Sequence, residues 1–191
     1  MFTRPHKPGS PIFCVKGQAM RPGPFALFAA AITLIAYVPN LARSSDLETM
    51  TPAAANAVEV GVRAFAQAVA HDVSTDGPSA WQKHFSGAPS FFMAVNGKLV
   101  WPNGAAATSG LKQVALAYKQ IDLRWGDDLR IDPLAPHLAM LATSYHEVQV
   151  SAAGQRRDDD GYFTGIAEYR NGRWQFRDAH WSSAPAVSSA Q

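Results

Sequence analysis

Two asparagine-glycine pairs constrain this chain more than any other local feature. Asn96-Gly97 lies inside SFFMAVNGKLVW, and Asn171-Gly172 lies inside IAEYRNGRWQF. Apolar, β-rich runs flank both. The two central residues of a tight hairpin turn need positive φ, which asparagine and glycine tolerate best, so each pair predicts an antiparallel hairpin. The second hairpin closes a C-terminal half in which strands are expected near residues 123–133, 137–150, 162–170 and 174–182. The polar segment SAAGQRRDDDG reads as the connection between the second and third of these, with Asp158, Asp159 and Asp160 at a solvated tip.

The preceding half is helical in pattern. Over residues 52–73, Val58, Val62, Phe65, Val69 and Val73 recur at three- and four-residue spacing and make one apolar stripe. Pro52 suits a first helical turn. A short helix is expected around 80–85. A second amphipathic helix is expected over 108–122, with Leu111, Val114, Ala115, Tyr118 and Ile121 as its stripe and Thr108 or Ser109 as its cap. Helices first and strands last argue for an α+β layer structure.

The formal charge of +2 conceals two unlike regions. Arg4, Lys7, Lys16, Arg21 and Arg43 all precede Asp46, while all 15 acidic residues lie at or beyond it. The remainder therefore carries 12 basic against 15 acidic residues, a net of −3, with no basic cluster of the kind nucleic acid requires. Within the basic segment, residues 24–38 form an uncharged apolar run. It is shorter than the roughly 20 residues of a spanning helix and fits the apolar part of a signal peptide, with Arg21 just ahead of it. Residues 1–45 are accordingly expected to be a signal peptide or an N-terminal anchor, with Met20 as a possible true start. A periplasmic or secreted location follows, with membrane contact only through an uncleaved segment. Residues 46–184 are expected to form one domain, and 185–191 a disordered tail. The single cysteine, Cys14, lies in the segment expected to be lost. The domain then has no disulfide framework, no cysteine nucleophile and no cysteine metal ligand. His71, His84, His137, His146 and His180 are too scattered for a metal site, and no phosphate-binding glycine loop occurs.

The order of elements, the ending GRWQFRDAHWS and the long strand APHLAMLATSYHEVQV resemble the NTF2-like α+β domains, and within them the SnoaL-like polyketide cyclases. The resemblance covers Pro52 to Ser183. It implies a cone: a strongly curved antiparallel sheet wrapped around N-terminal helices, with a ligand pocket at the mouth. It does not imply one activity, because the family holds isomerases, cyclases, dehydratases, transport factors and oligomerisation modules.

Alternation along the last strand puts Trp174, Phe176, Asp178, His180 and Ser182 on one face. Trp174 and Phe176 are then expected at the narrow end of the cone, and Asp178 and His180 in the pocket. A carboxylate beside an imidazole orients the ring and raises its basicity, which suits a general base. Tyr118, Tyr145, Trp101, Phe91, Trp81 and His84 are the other candidate ligand-contacting residues. Alternation groups Tyr145 with Glu147 and leaves open which face of that strand meets the pocket. Trp181, Tyr169 and Phe163 are expected on the outer face, where aromatics in such numbers suggest a homodimer interface. Three functions are compatible with this pattern. The first is binding of a small apolar or aromatic ligand in the cone. The second is isomerisation, cyclisation or dehydration without a cofactor or metal, through His180 and Asp178. The third is a structural dimerisation module.

Overall fold

A computed structural model describes residues 50–184. The expected leader, the possible start at Met20 and the tail after 184 lie outside the described residues. Three helices and seven strands follow in the order α1 (Pro52–Asp76), α2 (Trp81–His84), β1 (Phe92–Val95), β2 (Lys98–Trp101), α3 (Gly104–Ala117), β3 (Tyr118–Trp125), β4 (Arg130–Ala135), β5 (Leu138–Ser151), β6 (Arg156–Arg170) and β7 (Arg173–Ser183). A short 3-10 turn, Pro78–Ala80, links α1 to α2. Among the described residues no helix is long and apolar enough to cross a membrane.

Helix α1 begins where Thr51 accepts the Ala54 backbone N–H and Pro52 occupies the first turn. It buries the expected stripe, Val58, Val62, Phe65, Val69 and Val73, together with Ala66. Its C-terminal end is tied to β3, because the Ser74 hydroxyl accepts the Leu123 N–H at 2.9 Å. Further back, Trp125 Nε1 donates to the Ala66 carbonyl at 2.7 Å. Helix α3 starts earlier than its spacing suggested, because Asn103 caps it by accepting the Ala106 N–H. It also ends earlier. Tyr118 is the first residue of β3, with no intervening turn, so Tyr118 and Ile121 are strand residues.

The sheet is curved, open and mixed, in the order β2-β1-β7-β6-β5-β3, with β4 paired to the same edge of β5 as β3. The pairs β1–β2, β3–β5, β4–β5, β5–β6 and β6–β7 are antiparallel. The exception to the expected antiparallel pattern is β1, which runs parallel to β7. The rest of the domain forms the long crossover that a parallel pair needs. Both asparagine-glycine pairs form their hairpins, with φ of 49° at Asn96 and 54° at Asn171. The step from β3 to β4 is pinned by Asp128, whose carboxylate accepts the Ser144 N–H at 2.9 Å and the Ser144 hydroxyl at 2.8 Å. Those bonds to the charged form hold the Asp128 carboxyl below its usual range.

Strand β6 is longer than its charge pattern suggested. The turn is confined to the residues around Gly154, and Asp158–Asp160 already belong to the strand. The three aspartates are therefore not a loop tip. Asp158 and Asp160 face outward beside Arg156 and His146, and Asp159 faces inward.

One irregularity decides the use of β7. Ile166 pairs with Asp178, yet Ala167 pairs with Phe176, so Arg177 is an extra residue without a partner on β6. This is a β-bulge, and it inverts the alternation beyond it. Phe176 faces the core before the bulge. After it, Ala179 and Trp181 do, while Asp178 and His180 turn to the opposite face. The interior is accordingly a cluster of rings. Phe163 packs on Phe176 at 5.0 Å and on Trp181 at 4.7 Å, and Trp125 stacks on Trp181 at 5.8 Å. Burying a ring such as Phe163, which is 0% exposed, is worth about 2–3 kcal/mol. The expectation that Phe163 and Trp181 cover the outer face is thus corrected: both are core residues. Tyr169 is exposed, against Trp174.

Candidate functional site

Between the inner face of the sheet and helices α2 and α3 lies a cavity of about 190 Å³. Trp81 and Phe85 form one wall and stack at 5.0 Å with 9° between their planes. Trp181 stands at 89° to Trp81, and Tyr145 at 77° to Trp181. Trp101, Leu111, Val114 and Tyr118 also belong to the apolar lining. These walls meet because two elements run without slack into their neighbours. Strand β2 ends at Trp101 just before the Asn103 cap, and α3 passes directly into β3 at Tyr118. Gly110 in α3 leaves room for the Trp101 indole, which a side chain there would overlap.

The opposite end of the cavity is polar. The inner face of β5 presents Tyr145, Glu147 and Gln149 in succession, and β6 presents Asp159. In the β5–β6 register Glu147 lies directly opposite Asp159. Opposed side chains on one face have Cβ atoms about 4.5–5.5 Å apart, and like charges there repel. Glu147 is only 8% exposed. Its one side-chain hydrogen bond among the described residues is to Gln149, whose Nε2 donates at 2.9 Å. Burial, with the charge of Asp159, pushes the Glu147 carboxyl above its usual range, against the Gln149 hydrogen bond and the charge of Arg157. Asp159 accepts the Ser183 hydroxyl at 2.9 Å. Tyr145 Oη lies 3.5 Å from both Asp159 and Ser183, and burial raises the Tyr145 phenol as well. Gln149 Oε1 is buried without a hydrogen-bond partner.

Glu147 is therefore a carboxyl held ready to carry a proton in an apolar room, beside a second carboxylate with its own hydrogen bond. That combination gives and takes protons at a higher pH than an exposed glutamate does. It also bears on stability. The native state keeps the Glu147 proton at pH values where the unfolded chain has released it, so stability falls as pH rises above the usual glutamate range. Glu147→Gln keeps the Gln149 bond and removes this cost. It is expected to raise the melting temperature near pH 8 by about 2–8 °C, the shift for ~1 kcal/mol in a domain of this size. Near pH 4 it is expected to change nothing. Thermal unfolding followed at both pH values checks this, and an equal shift at both would assign the effect to packing instead.

The residues singled out from the sequence divide between several places. Trp81, Trp101, Tyr118 and Tyr145 line the cavity. Phe91 is fully buried behind it, against Phe85. His84 is buried elsewhere, between α2 and α1. Its Nε2 lies 2.9 Å from an Asp72 oxygen, and Phe65 lies beside its ring. Burial lowers the His84 pKa, against the pull of Asp72, so this pair ties two helices together. Asp178 and His180 do not reach the cavity. They border a shallow outer depression with Phe92, Met140 and Ile166, and among the described residues no hydrogen bond joins them. The bulge at Arg177 is the reason. The polar members, Glu147, Gln149, Asp159 and Ser183, were not among the candidates. The available signal was the alternation that put Glu147 with Tyr145. A second signal is the register counted outward from Gly154, which puts Asp159 opposite Glu147.

A curved sheet with helices over a largely apolar internal cavity defines a cone-shaped α+β domain. Solved structures identify the cone. An NTF2-like superfamily protein from Salmonella enterica matches with a TM-score of 0.58 and 13% identity, over 71% of this chain and 99% of its own. A protein provisionally named a scytalone dehydratase from Novosphingobium aromaticivorans matches with a TM-score of 0.56 and 11% identity, over 71% of this chain and 97% of its own. A type 2 hexachlorocyclohexane dehydrochlorinase matches with a TM-score of 0.52 and 11% identity, over 71% and 95%. The chain has the NTF2-like fold. At these identities the likeness is one of fold alone. No family model and no curated protein matches the sequence.

Proposed function

We propose that this domain binds a small, mostly apolar ligand with one polar group. The ring system sits between Trp81, Trp101 and Trp181, and the polar group meets Glu147 and Asp159. The observation that carries this reading is the lining itself: a cavity of about 190 Å³ with aromatic walls and a single polar end. Small-molecule sites are generally built this way. A second reading, proton transfer without a cofactor, draws support from the raised Glu147 carboxyl opposite Asp159. Glu147 would remove or donate the proton, and Tyr145 would hydrogen-bond the developing oxyanion. Two of the structurally similar proteins are titled as a dehydratase and a dehydrochlorinase, and both names denote eliminations.

Native mass spectrometry of the full chain, purified without refolding, is the first test. A discrete small-molecule adduct is expected, and Val114→Phe, which fills the cavity, is expected to abolish it. Retention of the adduct by that variant would put the ligand elsewhere. Conversion of the bound compound then tests the chemistry. Glu147→Gln is expected to lose about 10²–10⁴-fold in turnover if Glu147 is the acid/base, while His180→Ala is expected to match the parent. The reverse pattern would return the chemistry to His180 and Asp178 on the outer face.

A further inference from the structure

The polar end of the cavity has an uneven balance of hydrogen-bonding groups. Glu147 and Asp159 are acceptors when ionised, and Gln149 Oε1 is an acceptor with no partner. Of the donors beside them, Gln149 Nε2 is bonded to Glu147, the Ser183 hydroxyl to Asp159, and Tyr145 Oη lies 3.5 Å from both Asp159 and Ser183. Among the described residues no lysine, arginine or histidine lines the cavity. The nearest guanidinium, that of Arg157, lies 3.7 Å from Asp159 with its side chain 64% exposed. Such a pair is solvent-screened and neutralises little.

The register makes the imbalance worse. Glu147 and Asp159 are opposed across β5 and β6, so two carboxyl groups converge on one space with nothing positive inside it. Above them the rings stand as two walls at right angles, Trp81 with Phe85 and Trp181 edge-on to both Trp81 and Tyr145. Ring faces attract a cation lying within about 6 Å, most strongly when water is excluded. Carboxyl groups at one end and aromatic rings among the other walls favour a positive charge. A neutral ligand would leave an ionised Glu147 uncompensated beside Asp159.

We infer that the ligand is an organic cation: a protonated amine on a compact aromatic or alicyclic body, its nitrogen between Glu147 and Asp159 and its body among Trp81, Trp101 and Trp181. This rests on the pocket reading above and specifies the chemical class of the ligand. An ammonium supplies several N–H donors to a site rich in acceptors. Its charge favours the ionised form of Glu147, so binding releases a proton at pH values where the free protein keeps Glu147 protonated. Tyr145, Asp159 and Arg157 are the other titratable or charged groups facing Glu147.

The test titrates the full chain, by calorimetry and tryptophan fluorescence, with matched pairs of amine and alcohol: 2-phenylethylamine with 2-phenylethanol, tryptamine with tryptophol, and cyclohexylethylamine with cyclohexylethanol. In at least one pair the amine is expected to bind more tightly by about 10–100-fold, as charge-assisted hydrogen bonds allow. Calorimetry in two buffers of different ionisation enthalpy is expected to report proton release. Glu147→Gln and Asp159→Asn, both isosteric, are expected to erase most of the preference while retaining alcohol binding. An alcohol that binds as tightly as its amine in every pair overturns the cation assignment and leaves the pocket reading standing. So does a preference that survives both variants. Failure of all six probes, with the fold intact by circular dichroism, overturns both.

Discussion

Deleting Arg177 is expected to cost more than about 4 kcal/mol, a loss seen only when a core is rearranged. Strand β7 lies between β6 on one side and β1 on the other, and the bulge lets it serve both halves of the interior. Without the extra residue one half must invert. If the C-terminal half turns, Trp181 leaves the ring cluster, and Asp178 and His180 enter an apolar room. If the N-terminal half turns, Phe176 is expelled and Arg173 and Gln175 move toward α1. Each outcome exchanges a buried ring for a polar group. Chemical denaturation checks the loss. Replacing Arg177 by alanine is the control, because it keeps the extra residue and is expected to cost less than about 1 kcal/mol, as for other partly exposed positions. Comparable losses for the deletion and the control would mean that the side chain matters and the bulge does not.

Gly161→Ala is expected to cost about 3 kcal/mol or more, beyond the usual range for one added methyl in a packed core. Gly161 lies opposite Tyr145 in the β5–β6 register. A Cβ there would overlap the Ser182 carbonyl oxygen and lie 2.7 Å from the Tyr145 ring. The first neighbour is backbone and cannot give way. The second can move only by displacing the phenol from Asp159 and Ser183. Gly97→Ala gives the contrast. Its φ of 75° is unfavourable for alanine, but nothing lies within 4 Å, so a loss nearer 1 kcal/mol is expected. Denaturant titration of the two variants separates lack of room from backbone strain. If Gly161→Ala proved as mild as Gly97→Ala, the close packing of β6 on Tyr145 would be wrong.

The sequence exposed the fold more readily than the site, and particular residues show why. The α1 stripe from Val58 to Val73 was legible because an amphipathic helix repeats the same contact at a fixed period. Asn96-Gly97 and Asn171-Gly172 were legible because positive φ is a local requirement with few solutions. The sheet face bearing Asp178 and His180 was not legible. A bulge adds one residue without any residue type that marks it, and Arg177 would fit either alternation. Tyr118 and Ile121 satisfy helical spacing as well as a strand, and no turn residue separates α3 from β3. Asp159 was hidden by its neighbours. Three consecutive aspartates look uniformly solvated, yet in a strand the middle one points the opposite way. Glu147 came within reach, grouped correctly with Tyr145, but choosing its face required knowing where the helices lie.

The alternation of β5, β6 and β7 has a consequence for how the protein can change over time. Neighbouring residues on these strands answer to different surroundings: Tyr145, Glu147 and Asp159 to whatever occupies the cone, Met140, Ile166 and His180 to whatever meets the outer surface. Substitutions can therefore accumulate in either set with little penalty in the other. Mutations that insert or remove a single residue have no such freedom, because they exchange the two sets at once. Drift on this scaffold should proceed by replacement along the strands, with changes of length confined to the turns.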